Sequence, residues 1–137
     1  MAQDPTIGFD SDDPEMAAAI EEAKRTFRQF LEAFQSPRSG QSAFLVKVAF
    51  VAGQDVEHIW IADLEIRTGE FRGVIANEPT LRGFRFMQSV DFAPNQITDW
   101  MYIEDGMLVG GYSTRLIRKR MSQEERAALD SAAPYFF

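Results

Sequence analysis

Near the start of the chain, apolar residues recur at three- and four-residue steps and form its longest regular pattern. This spacing predicts a helix over about residues 14–35, with Asp12 or Asp13 as N-cap and Pro14 in the first turn. The segment 36–40, with one proline and one glycine, ends the helix. The apolar stripe consists of Met16, Ile20, Ala23, Phe27, Phe30, Leu31 and Phe34.

After residue 42 the apolar period changes from helical to two, which is typical of strands. Turns at Gly53 and Gly69 separate the first three runs. Connections this short join antiparallel neighbours. The predicted strands cover residues 44–51, 56–66 and 71–76.

The second half of the chain contains shorter elements. Residues 80–88 have no clear period and are predicted as a loop before a short strand at 89–92. Asp105-Gly106 predicts a type I′ hairpin between strands 97–103 and 107–112. Ser113 is placed to cap a short helical turn through residue 120, and a capping box at 122–125 begins a last helix that Pro134 ends.

These elements predict an α+β fold. A long N-terminal helix packs on a curved antiparallel sheet of five to six strands, and short helices follow at the C-terminus, because the helix stripe and one sheet face must cover each other. A small closed β-barrel with a flanking helix is the alternative. Residues 13–137 are predicted to form a single domain, and residues 1–12, which lack periodic apolar positions, a flexible acidic arm.

Charge is distributed unevenly along the 137 residues. Residues 1–22 hold seven acids and no Lys or Arg, which equals the whole net charge of −7. This balance argues against nucleic acid as a partner, since phosphate binding needs a basic footprint. The chain has no cysteine, which excludes disulfides and thiol chemistry. With no visible targeting segment and no apolar run long enough for a bilayer, the sequence predicts a cytoplasmic protein without a membrane partner.

Several short phrases, in matching order over about residues 43–120, resemble the bacterial domain-of-unknown-function family 2314. The resemblance implies a small cytoplasmic or envelope-associated bacterial protein with no established activity, and it supplies no catalytic residue. The phrases are Phe44-Leu45-Val46-Lys47, Val56-Glu57-His58-Ile59-Trp60, Asn77-Glu78-Pro79, Ile97-Thr98-Asp99-Trp100-Met101-Tyr102 and Gly110-Gly111-Tyr112-Ser113-Thr114-Arg115.

Candidate catalytic groups are few. His58 is the only histidine, so no second histidine or cysteine exists to share a metal, and we predict neither a metal nor a cofactor. No serine lies in a Gly-x-Ser-x-Gly elbow. Asp63 and Glu65 fall two residues apart, on one face of the second strand, where solvated carboxylates are the simpler interpretation.

Polar and aromatic residues at strand ends and turns are the candidates for a binding surface, because core packing alone would not place them there. We expect Glu78, Asp99 and Arg115 to cluster near a tryptophan, either as a structural clamp or as a site. The basic run from Arg115 to Arg120 is interpreted as a solvated helix end that could also dock the chain's own acidic arm. The full set of candidates is His58, Trp60, Asn77, Glu78, Asp99, Trp100 and Arg115.

Two functions remain open. The first is a non-catalytic protein-interaction module, similar to an immunity protein or a regulator, with another protein as partner and a homodimer as the alternative assembly. The second is a small hydrolase that uses His58 with Asp63, Glu78 or Asp99. Convergence of these side chains in one concave pocket would favour the enzyme, whereas scattered positions beside an open aromatic patch would favour the module.

Overall fold

The computed structural model describes residues 13–137. The predicted acidic arm, residues 1–12, lies outside the described residues, so the division into arm and single domain stays a prediction. The chain begins with helix α1 (Pro14–Gln35), as predicted. Asp13 is the N-cap and accepts a hydrogen bond from the backbone N–H of Met16. Ser36 is the C-cap, and Pro37 follows it.

Six strands form one open antiparallel sheet, so the barrel alternative is wrong. They are β1 (Gln41–Ala52), β2 (Asp55–Arg67), β3 (Glu70–Ile75), β4 (Ser89–Phe92), β5 (Ile97–Glu104) and β6 (Met107–Gly110). Their order across the sheet is β4-β3-β2-β1-β5-β6. The first four strands are therefore a meander, and β5 returns to pair with β1.

The β5–β6 turn is the predicted hairpin. Asp105 and Gly106 have φ values of 50° and 83°, the left-handed values that both central residues of a type I′ turn require. Two short helices follow, α2 (Tyr112–Arg120) and α3 (Gln123–Ala132). The predicted capping box of Ser122 and Glu125 starts α3. Strand β6 ends earlier than predicted, because α2 already begins at Tyr112.

One face of the sheet, which we call the helix face, packs under α1 and carries most of the apolar core. Phe30 of α1 lies against Trp100 of β5, with ring centroids 5.8 Å apart, and neither side chain is exposed. The Trp100 indole N–H donates to the carbonyl of Ala23, which fixes α1 over β5. Strands β1 and β2 add fully buried branched residues to this face: Val46, Val48, Ile59 and Ile61.

A bulge in β2 changes which residues face the core. The pairing with β3 shifts between Ala62 and Glu65, and Asp63 adopts a left-handed φ of 50°. Leu64 and Ile66 therefore pack on the core although odd-numbered residues do so earlier in the strand. Asp63 and Glu65 are both exposed, in agreement with the interpretation as solvated carboxylates, although the regular pairing of the strand is interrupted there.

Candidate functional site

The opposite side of the sheet, which we call the open face, buries charged groups. Lys47 on β1 and Asp99 on β5 are paired in the strand register, so both side chains project from the same face. Lys47 is 5% exposed and Asp99 is 0% exposed. Charged side chains are rarely buried to this degree without partners. The centre of the open face is therefore a specific polar structure.

Asp99 closes the N-terminus of α2. One carboxylate oxygen, Oδ1, accepts from the backbone N–H groups of Trp100 at 2.8 Å and Tyr112 at 3.1 Å. The other, Oδ2, accepts from the backbone N–H of Ser113 at 2.8 Å and from its hydroxyl group. The first N–H groups of a helix have no partner within the helix, and its N-terminus favours negative charge. Asp99 thus acts as a cap supplied by a neighbouring strand.

Two glycines bring the chain from β6 to this carboxylate. Gly110 and Gly111 have φ values of 76° and 67°, which L-residues with side chains rarely adopt. A Cβ atom on Gly110 would lie 2.5 Å from the carbonyl oxygen of Trp100. Gly111 is the N-cap of α2 and has no side chain to cap it. The predicted cap, Ser113, is wrong because it lies inside the first turn, and Asp99 supplies the acceptors instead.

Lys47 completes the buried group that we call the Lys47–Ser113–Asp99 triad. Its Nζ donates to the Ser113 hydroxyl oxygen over 3.2 Å and lies 5.4 Å from the ring centroid of Trp60. Burial raises the pKa of Asp99, while its hydrogen bonds from Ser113 and Trp100 and the charge of Lys47 act in the opposite direction. Four donors on two oxygens match the ionised carboxylate, which only accepts.

Beside the triad, the open face contains an apolar cavity of about 260 Å³. Trp60 is only half-buried, so one side of its ring reaches this space. Burial raises the pKa of Tyr135, which lies on the C-terminal segment. None of the triad residues lines the cavity. The lining includes Leu45, Trp60, Asn77, Met101, Thr114 and Tyr135.

The C-terminal segment reaches the cavity because it is fastened to the β5–β6 hairpin. The backbone N–H of Phe136 donates to the carbonyl of Gly106, and the N–H of Leu108 donates to the carbonyl of Phe136. The guanidinium of Arg118 lies 4.7 Å from the ring centroid of Phe137. These contacts hold Pro134 and Tyr135 at the rim of the cavity.

Three of the predicted site residues have structural partners that sequence spacing does not reveal. His58 is half-buried, and its Nδ1 lies 2.9 Å from the hydroxyl of Thr98. Asn77 accepts the backbone N–H of Trp60 at 2.8 Å, which continues the β2 ladder past the end of β3. Trp100 belongs to the core of the helix face.

Among the described residues Arg115 pairs with neither Glu78 nor Asp99, so the ion-pair clamp that the sequence suggested is not formed. The Arg115 guanidinium donates to the carbonyls of Gly110 at 2.8 Å and Leu108 at 2.7 Å. Asp99 is occupied by α2, and Glu78 is exposed. Arg115 therefore satisfies carbonyls at the end of β6, and within residues 13–137 it forms no salt bridge.

The basic run at the end of α2 contacts acids within the described fold, whereas its predicted contact with the acidic arm lies outside the described residues. Arg118 binds Asp130 of α3 at 2.7 Å, and Arg120 binds Asp13 at 2.7 Å and Glu15 at 2.9 Å. The Arg120 guanidinium lowers the pKa of Asp13 to about 2. These pairs tie α2 to the first turn of α1 and to α3, so most of the run is already used within the described fold.

Sequence analysis missed three residues of the site and its surroundings. Lys47 and Ser113 were not among the candidates. Lys47, like Asp99, is a charged residue within a mainly apolar strand, and this signal could have identified it. Glu57 is 5% exposed and accepts from the backbone N–H groups of Thr80 and Leu81. Only the paired register of distant strands shows which of these groups meet.

Neither a metal centre nor a membrane helix is found in the described part of the chain. Among residues 13–137, no group of three or more His, Asp or Glu side chains is placed to hold a metal ion. None of the helices in the same residues is long and apolar enough to cross a membrane.

Two known proteins match this chain over most of its length. A putative ankyrin repeat protein of Neisseria meningitidis serogroup B is 35% identical over 123 residues, which cover 83% of this chain and 49% of that protein. The chain thus spans about half the length of the Neisseria relative. The uncharacterized protein YegJ of Escherichia coli K12 is 29% identical over 109 residues, 79% of this chain and 69% of the relative.

No solved structure matches the chain significantly. The model of the family described as "Uncharacterized protein conserved in bacteria" matches residues 13–136, from the N-cap of α1 to the C-terminal segment. The residues that first suggested this family surround the triad and the cavity. The chain therefore belongs to the bacterial domain-of-unknown-function family 2314.

Proposed function

We propose that the protein is a non-catalytic interaction module that receives an apolar side chain of a partner protein in the cavity of the open face. The observation that carries the proposal is the half-buried Trp60, which lines an apolar cavity next to a closed and fully hydrogen-bonded polar group. Tryptophan dominates the energetics of many interfaces when it lies in a pocket that excludes water.

The size of the cavity favours a side chain over a cofactor. Small-molecule sites usually measure about 300–1,000 Å³, and this cavity of about 260 Å³ is smaller. Its lining is mainly apolar, with Asn77 and Thr114 at its margin. Such a lining suits one aromatic or branched side chain from a protein surface.

The triad supports the proposal because it fixes two elements that line the cavity. Lys47 Nζ lies 5.4 Å from the ring centroid of Trp60, and Asp99 fixes the start of α2, which carries Thr114 to the cavity. A site held by buried hydrogen bonds loses less entropy when a partner binds. Binding of this kind would mask or regulate the partner, as immunity and regulator proteins do. A cytoplasmic location is part of the same proposal.

The relative from Neisseria is compatible with a binding role. It is named a putative ankyrin repeat protein, and about half of it lies outside the match to this chain. Repeat architectures form extended concave binding surfaces. A module that binds a second protein would fit beside such a surface.

The alternative hydrolase has one specific observation in its favour, since Lys47 contacts the Ser113 hydroxyl. Two observations weigh against it. Ser113 is 3% exposed, and its hydroxyl proton is directed to Asp99. His58 faces Thr98, and the carboxylate of Glu78 is exposed. A serine nucleophile needs access to substrate and a base that can take its proton.

Site-specific photo-cross-linking in the source bacterium tests the module. A photoreactive phenylalanine analogue replaces Pro134, an exposed residue at the cavity rim, and a control places it at Glu124 on α3. We expect a discrete protein adduct from position 134 only, lost when Trp60→Ala is added to a chain that remains folded. Equal adducts from both positions, or an adduct unaffected by Trp60→Ala, would overturn the proposal.

The hydrolase is tested separately by activity. Wild type, Ser113→Ala and His58→Ala are assayed against a panel of carboxylic and phosphate esters. Turnover that either substitution abolishes, in a variant with unchanged circular dichroism, would replace the module with the enzyme.

A further inference from the structure

The loop between β3 and β4 exposes large side chains although its backbone is firmly held. We call residues 80–88 the arginine–methionine loop. Phe86 is 48% exposed and Met87 is 63% exposed, and Arg82 and Arg85 are exposed beside them. Apolar side chains this large are usually withdrawn from water when the fold allows it. Two exposed apolar side chains beside two exposed arginines, all within six residues, mark a candidate contact surface.

The first half of the loop is anchored by a buried carboxylate. Glu57 Oε1 accepts from the backbone N–H of Thr80 at 2.9 Å and from that of Leu81 at 2.8 Å. Leu81 is 6% exposed, and the ring of Phe84 packs on Phe50 with centroids 5.0 Å apart. Leu81 and Phe84, three residues apart, are thus fixed inward, and Arg82 and Arg85, which follow them, stay exposed.

The second half of the loop is anchored to the end of β3. The backbone N–H of Met87 donates to the carbonyl of Ile75, and the N–H of Ile75 donates to the carbonyl of Gln88, both at 2.9 Å. The Gln88 side chain accepts from the N–H of Arg85 at 2.9 Å. Met87 adopts a φ of 73°, a conformation that non-glycine residues keep only when their surroundings impose it. The loop therefore presents its exposed side chains in a prearranged order.

The charge of the loop is opposite to that of the protein. Residues 80–88 contain two arginines and no acid, while the whole chain has a net charge of −7. Within residues 13–137 neither Arg82 nor Arg85 forms a salt bridge, in contrast to Arg118 and Arg120. Aromatic residues, methionine and arginine are the types enriched at protein interfaces. The composition of the loop follows this pattern.

We infer that the arginine–methionine loop binds an acidic segment of a partner protein, independently of the cavity of the open face. Arg82 and Arg85 contact carboxylates of the segment, and Phe86 and Met87 cover an apolar side chain between them. Two arginines provide too few phosphate contacts to hold nucleic acid against the net negative charge of the protein. The same repulsion opposes an anionic lipid surface, which is usually bound by clusters of four to eight basic residues.

Peptide titration tests this inference with the full-length chain. The probe is a fluorescein-labelled peptide of sequence EDLFED, and a KKLFKK peptide serves as the charge-reversed control. We expect EDLFED to bind, to shift the amide signals of residues 82–88 in NMR spectra, and to lose about tenfold in affinity in Arg82→Gln/Arg85→Gln, the equivalent of roughly 1.4 kcal/mol. The matched variant Arg28→Gln/Arg38→Gln removes two exposed arginines elsewhere and should keep wild-type affinity.

Several outcomes would overturn the inference. The absence of binding at millimolar EDLFED would do so, as would an equal loss in the two double variants, which would indicate unspecific charge attraction. Tighter binding of oligothymidylate or of phosphatidylserine vesicles, dependent on Arg82 and Arg85, would assign the loop to nucleic acid or lipid instead. Trp60→Ala should leave EDLFED binding unchanged, so failure here is distinguishable from failure of the cavity proposal.

Discussion

The two faces of the sheet achieve burial in different ways. On the helix face, Phe30, Trp100 and Ile59 are fully buried among apolar neighbours. Their contribution to the stability of the fold depends on how well their volume and shape fill the core. On the open face, Lys47 and Asp99 are buried because named atoms satisfy each other across two strands and a helix. Among residues 13–137, no buried side-chain nitrogen or oxygen lacks a hydrogen-bond partner. The helix face thus tolerates apolar exchange, whereas the open face depends on specific polar groups.

The largest effect is expected on the helix face. Phe30→Ala should lower the free energy of unfolding by about 3–5 kcal/mol, since the ring is fully buried and its removal leaves a cavity. Urea unfolding followed by circular dichroism measures the loss. Phe27→Ala is the control on the same helix, and it should cost less because Phe27 is only half-buried. An equal or larger loss for Phe27→Ala would contradict this view of the core.

On the open face, the expected loss arises from unsatisfied polar groups. Asp99→Ala leaves the N–H groups of Tyr112 and Ser113 without acceptors and should cost about 1–3 kcal/mol. Because the Ser113 hydroxyl donates to the same carboxylate, Asp99→Ala and Ser113→Ala should be strongly coupled in a double-mutant cycle. Additive losses would show that the two side chains act separately and that the triad is no single unit.

A smaller and pH-dependent effect is expected where α2 meets α1. The pKa of Asp13 is lowered from 3.8 to about 2 by the hydrogen bond from Arg120. A carboxylate whose pKa is lower in the folded state stabilises the fold above its unfolded pKa, and this contribution disappears as the pH falls towards 2. Arg120→Gln should therefore flatten the loss of thermal stability between pH 3.8 and about 2. Arg38→Gln, an exposed arginine, should keep the wild-type acid profile.

The last comparison concerns Trp60→Ala on the open face. The ring is half-buried and lines the cavity, so its removal should cost less than Phe30→Ala while it removes partner capture. Thermal melting and the cross-linking yield are measured on the same preparation. A stability loss equal to that of Phe30→Ala would mean that Trp60 is a core residue, and the open face would lose its distinguishing feature.

The sequence predicted the fold where its signals are local. Asp13 and Pro14 mark the start of α1, and Asp105-Gly106 marks the β5–β6 hairpin, because each signal acts on its own few residues. The bulge at Asp63 could not be predicted, since its left-handed φ arises from the pairing of β2 with β3. Apolar and polar residues continue to alternate in the sequence through the bulge, but the regular pairing of β2 with β3 is interrupted there.

The candidate site was predicted less well for the same reason. Asp99 was among the candidates, but its partner is α2 and not Arg115, because strand pairing decides which groups lie beside a buried carboxylate. Ser113 was interpreted as a local cap since serine often precedes a helix. The carboxylate of Asp99 on β5 takes that role instead. The spacing of residues 110–120 cannot reveal a cap that comes from another strand. Trp60 lines the cavity of the open face, and its role in binding stays a prediction.

The position of β5 beside β1 has a consequence for folding kinetics. Strands β1 to β3 can form by two short turns, β4 joins them after the loop of residues 76–88, and β5 with β6 forms a separate hairpin. Val46 and Trp100 meet only when these two units join, and this closure costs the entropy of the long intervening segment. Contacts between distant residues slow folding, so the joining of the two units is expected to limit the rate. Lys47 and Asp99 come together in that same step, and the open face is therefore assembled late, after the local hairpins exist.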